Sequence, residues 1–157
     1  MSAGISAVAG LRGKRGYRNF SLRWRGADLG LYWTVDSKKK MFEVVCDGFV
    51  EESDVLRMLD VLVGSQALGY RKLFDGSRGE TNMGPLDLLN IGVRIRQLHE
   101  SGVPLGPVAV VIPEDKYGLL ARILGILAAY KRPMRIFSDV KKARAWLDSH
   151  AVRASVD

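Results

Sequence analysis

The sequence holds one cysteine, Cys46, and two histidines, His99 and His150. A single thiol excludes an intramolecular disulfide framework and a cysteine-rich zinc site. It stands in the apolar run FEVVC and reads as a buried structural thiol. The histidines show neither H-x-x-x-H nor H-E-x-x-H spacing, so they read as surface or helix-end residues, and no metal or cofactor is expected. Long hydrophobic runs are missing too. The most apolar stretch, GLLARILGILAA at 118–129, is too short to cross a bilayer and contains Arg122. The N-terminus lacks the apolar core and cleavage site of a secretory signal, which makes a cytoplasmic protein the expectation. Acid is absent from residues 1–26, where Arg12, Lys14, Arg15, Arg18, Arg23 and Arg25 lie. The formal charge of +7 therefore belongs to this leader, since the remainder carries 18 basic and 17 acidic residues, a net of +1. A basic leader is a weaker sign of nucleic acid than a basic domain face.

What is present is the patterning of one α/β domain, and 157 residues suffice to bury a core. The division expected is a basic leader over 1–29, a domain over 30–150 and a tail over 151–157. LYWTVD (31–36) and MFEVVCD (41–47) flank the polar turn SKKK and predict a β-hairpin. EESDVLRMLDVLVGSQAL predicts a helix, with Val55, Met58, Leu59 and Leu62 on one face and acidic residues near its N-terminus. YRKLFD is a strand that ends in a polar loop, after which Pro85 opens a second helix running to about His99. PVAVVIP (107–113) reads as a strand covered on both faces. A helix over 114–130, the strand MRIFSD and a last helix DVKKARAWLDSH complete the chain. The order β-β-α-β-α-β-α-β-α predicts a mixed, mostly parallel five-stranded sheet with about four helices.

Four stretches in this order resemble the STAS domain, and its SpoIIAA-like branch in particular. DGFVEESDV (47–55) is similar to the family's strand-to-helix junction, and KLFDGSRG (72–79) to its third strand ending in Asp. AVVIPEDKYGLLARILGILAAY (109–130) and MRIFSDVKKARAWL (134–147) are similar to its closing strand-helix pairs. The resemblance covers about residues 30 to 150 and leaves the leader aside. It implies a non-enzymatic bacterial module that binds another protein in a regulatory role. In such domains a Ser or Thr at the start of the second helix is phosphorylated, in a D-S-S/T-G motif. Here Thr81-Asn82-Met83-Gly84 stands in its place, so only Thr81 is a candidate phosphosite and the expectation is a module without a working switch.

Asp75, Ser77, Arg78, Glu80, Thr81 and Asn82 form the candidate partner-binding loop, because ligands of open parallel sheets gather at the C-terminal ends of the strands. The alternative is a solvated loop in which Asp75 and Ser77 serve local backbone groups and Thr81 or Asn82 caps the helix. No G-x-x-x-x-G-K-S/T motif supports a nucleotide, and Ser77 has no identifiable base, so no catalytic residue is assigned. The 114–130 helix has apolar positions over more than a narrow stripe. Deep burial, a homodimer contact, or a wall for a lipid-like ligand formed by Tyr117, Leu120, Leu124 and Leu127 all remain open for it. A carrier of a lipid-like small molecule is thus the second functional reading. Contact of the leader with nucleic acid or an anionic membrane is the third, through basic residues interleaved with Tyr17, Phe20 and Trp24.

Overall fold

The hairpin forms one edge of the sheet. In the computed structural model, which describes residues 30–113 and 132–154, β1 (Leu31–Asp36) pairs antiparallel with β2 (Met41–Phe49). The turn between them is held by Asp36, whose Oδ1 accepts the Lys38 and Lys39 amides at 3.1 and 2.9 Å. Three parallel strands follow: β3 (Arg71–Glu80), β4 (Val108–Val111) and β5 (Met134–Phe137). The spatial order β1-β2-β3-β4-β5 is the chain order. The fold is thus a single α/β domain built on a five-stranded mixed sheet, as the alternation of patterns predicts.

Three helices are found among the described residues. They are α1 (Glu52–Gly64), α2 (Pro85–Glu100) and α3 (Val140–Ala154). The predicted helix over 114–130 lies outside the described residues, and with it Tyr117, Leu120, Leu124 and Leu127. The leader, 1–29, lies outside them as well. Both α1 and α2 begin with a carboxylate three residues in that accepts the first backbone amide. Asp54 takes the Glu51 N–H at 3.0 Å, and Asp87 takes the Gly84 N–H at 2.8 Å. The last helix runs four residues beyond the expected end at His150.

The period of two in the strands sorts the core into two layers. Phe42 and Val44 of β2 face α1 and α2, where Met58, Leu59, Leu62 and Leu98 pack against them and against Leu31, Trp33 and Val35 of β1. Met41, Leu73, Ala109 and Val111 face the other way, onto Ala143 and Leu147 of α3. Two arginines pin α3 to the hairpin. Arg144 grips the Glu43 carboxylate with both guanidinium nitrogens, at 2.5 and 2.9 Å. Arg71 reaches Asp148 Oδ1 at 3.0 Å and the Lys39 carbonyl at 2.8 Å.

Candidate functional site

The predicted loop after Asp75 is a strand. β3 continues to Glu80 and pairs with β2 as far as Phe49, across a bulge between Val45 and Asp47. Beyond that bulge Gly48 lies opposite Gly79. Gly48 has φ +97°, and a Cβ on Gly79 would stand 2.7 Å from the Cys46 Cβ. Only two small residues let the tips of β2 and β3 run together here. This is why a stretch composed like a loop, DGSRGE, forms ten residues of strand with what precedes it.

The candidate residues consequently divide by face and by partner. Asp75 is half-buried, and its Oδ1 accepts both the amide and the hydroxyl of Ser77, at 3.1 and 2.5 Å. Arg78 is exposed and lies 3.4 Å from the Asp47 carboxylate. Glu80 and Asn82 are exposed near the start of α2. Thr81 is half-buried and its hydroxyl is committed on both sides, donating to the Val50 carbonyl at 2.7 Å and accepting the Met83 amide at 3.1 Å. It ties the end of β3 to the start of α1 instead of standing free at the surface. The helix itself is capped through Asp87, so neither Thr81 nor Asn82 serves as the cap.

Sequence reading missed the outer face of α2. Leu88, Ile91 and Leu98 are buried, but Leu86, Leu89 and Val93 are 75, 52 and 49 % exposed. Positions i, i+3 and i+7 share a helix face, so these three form one apolar stripe that begins in the first turn of α2. The signal was present in PLDLLNIGVRIRQL, where apolar residues outnumber what one buried face can use.

A second feature escaped the sequence reading. A cavity of about 180 Å³ lies between α1 and α2 and the sheet. Its wall is almost wholly apolar, with Met58 and Leu62 from α1, Ile91 and Ile95 from α2, and Phe74, Val110 and Met134 from the sheet. Lys72 also lines it and is only 2 % exposed. The strand register makes this unavoidable, because Lys72 lies level with Phe42 and Val108, both of which face the same layer. Its Nζ donates to the carbonyls of Leu68 and Tyr70, at 2.5 and 2.8 Å. Burial pushes the ammonium down to about 7, with the charge of nearby Arg132 adding to the effect. Arg132, half-buried at the same end of the cavity, is itself lowered to about 10 by burial. Cys46 lines the cavity too, and burial, with the Asp75 charge, raises its thiol to about 12, which keeps it protonated and a poor nucleophile.

The histidines form no shared site. His150 Nδ1 lies 2.9 Å from the Trp146 carbonyl, with its ring 4.3 Å from the Trp146 ring, whereas His99 sits near the end of α2. Among the described residues no group of three or more His, Cys, Asp or Glu is arranged to hold a metal ion, and no helix is long and apolar enough to cross a membrane. The class that fold and geometry define is an α/β domain with an exposed apolar helix stripe and an apolar cavity lined by a buried lysine. No protein family, curated protein or solved structure matches the chain.

Proposed function

We propose that the chain is a non-enzymatic, STAS-like module that binds another protein through the outer face of α2 and the adjoining end of β3. The observation that carries this reading is the apolar stripe Leu86, Leu89 and Val93. Three large side chains in register, left in water on an otherwise amphipathic helix, are costly unless a partner covers them. Arg78, Glu80 and Asn82 are exposed on the stretch that leads from the end of β3 into α2, and would supply polar contacts to a partner that reaches past the stripe. The described element order supports the family, since it follows the alternation that the resemblance implies. The committed state of the Thr81 hydroxyl supports a module whose binding is not switched at that residue. The partner fitted by this surface is a protein offering an apolar ridge of helical spacing, laid along α2.

The test is capture by the intact protein from extract of its native cells, set against Leu86→Ser/Leu89→Ser and Arg78→Ala/Glu80→Ala variants. A partner retained by the wild type is expected to be lost from the stripe variant and weakened by the charge variant. Equal capture by all three sinks the reading. Light scattering of the free protein separates the other occupant, because a dimer abolished by Leu86→Ser/Leu89→Ser assigns the stripe to a second copy.

A further inference from the structure

The outer edge of β1 is defined by one hydrogen bond. The Asp47 amide donates to the Gly30 carbonyl at 2.8 Å, and the register of β1 on β2 sets Gly30 opposite Asp47. They are thus a hydrogen-bonded pair of the antiparallel ladder, and such pairs alternate along a strand. Tyr32, Thr34 and Asp36 therefore turn their backbone groups toward β2, whereas Leu31, Trp33 and Val35 turn theirs away from it. β1 comes first in the spatial order, and among the described residues no strand lies beyond it. Its two faces differ as well. Leu31, Trp33 and Val35 are buried in the α1–α2 layer, while Tyr32 and Thr34 are exposed.

The sequence just ahead of β1 carries a matching pattern. In NFSLRW (19–24), Phe20, Leu22 and Trp24 alternate with Asn19, Ser21 and Arg23, the period of a strand with one apolar face. RGADLG separates this run from β1, and its glycines and Asp28 are turn formers. Gly30 is already in register with β2, which leaves 25–29 for a reversal, within the usual length of a hairpin loop. We propose that residues 19–24 add to the outer edge of β1 as an antiparallel sixth strand. Trp24 lies across from Leu31, Leu22 from Trp33 and Phe20 from Val35. Residues directly opposite share a face, so this register carries all three apolar side chains into the α1–α2 layer. It sets Asn19, Ser21 and Arg23 beside Asp36, Thr34 and Tyr32 on the other face. The outward backbone groups of Leu31, Trp33 and Val35 gain partners, and an edge open to other chains is covered. So short a tether favours this segment over any partner free in solution. The proposal concerns β1 alone and does not rest on the protein-interaction reading of α2.

The experiment is amide hydrogen exchange of the full chain, read residue by residue by NMR. The Leu31, Trp33 and Val35 amides are expected to exchange at least about a hundredfold more slowly than in an unfolded chain, as paired strand amides do. Leu22→Pro removes the amide that would donate to the Trp33 carbonyl, and in that variant the three are expected to approach the unfolded rate. The Leu73 and Val110 amides, in central strands, should keep their protection in Leu22→Pro and report that the domain remains folded. Free exchange of the Leu31, Trp33 and Val35 amides in the wild type overturns the proposal. Protection that survives Leu22→Pro overturns it too, and a dependence of that protection on protein concentration would assign the edge to a second copy.

Discussion

Lys72 is the residue at which the fold sets its own cost. Burial lowers its pKa from 10.5 to about 7, so the folded chain releases a proton that the unfolded chain holds between those values. The unfolded state then binds more protons, and stability rises with pH across that window. Below about pH 7 both states are protonated and the full cost of the buried ammonium is present. Comparison with Lys72→Met isolates this contribution, because other groups titrating in the range cancel. Urea denaturation at pH 6, 8 and 9.5 is expected to show wild type gaining on the variant as pH rises, by at most about 1.4 kcal/mol per pH unit. A constant difference would mean that the amine is hydrated in the folded state. Nothing in the sequence marked this residue. RKLFD sets two polar residues before two apolar ones with no alternation to assign faces, and only the pairing of Lys72 with Phe42 and Val108 turns the lysine inward.

At the scale of elements, most of the fold was legible, and the reasons are local. The hairpin was written by LYWTVD and MFEVVCD around a polar turn, and the register of the two strands follows. Helix α1 was written by its i, i+3, i+4, i+7 face, of which Met58, Leu59 and Leu62 are buried. The end of β3 was not legible. Asp, Ser and two glycines lower strand propensity, and only contact with a distant partner overrides it. That partner is the bulged tip of β2, where Gly48 lies opposite Gly79. What reads as one recognition loop is therefore the end of a strand, with Ser77 and Arg78 exposed and Asp75 partly covered. The close approach makes Gly79→Ala a direct probe. The new methyl would meet the Cys46 Cβ at 2.7 Å, an atom with little freedom to move. The substitution is expected to destabilise the fold by about 1–3 kcal/mol in urea denaturation, as overpacking does. A loss under about 0.5 kcal/mol would show that the β2 and β3 tips separate easily.

For the molecule as a whole, the sheet separates two layers of different character. Among the described residues, the α3 layer packs Met41, Leu73, Ala109 and Val111 onto Ala143 and Leu147 and is fastened at its rim by Arg71 and Arg144. The α1–α2 layer contains the cavity inside and the apolar stripe outside. Charge balance let the sequence assign the basic excess to the leader, but the apolar surplus in PLDLLNIGVRIRQL did not by itself say which of its leucines would face water. A pair of substitutions makes that contrast measurable. Leu147 is fully buried against Met41, Leu73 and Ala109, so Leu147→Ala removes packed methyl groups from a site with little room to collapse. The expected loss is about 2–5 kcal/mol. Leu86 stands on the open side of α2, and Leu86→Ser is expected to change stability by no more than about 0.5 kcal/mol. Denaturant curves of both variants should share the slope of the wild type, since neither alters how much surface unfolding exposes by more than one side chain. If Leu86→Ser proves as damaging as Leu147→Ala, the α2 face is already covered in the free protein and is not available to a partner. If it is silent in stability and yet abolishes partner capture, the stripe serves binding and contributes nothing to folding.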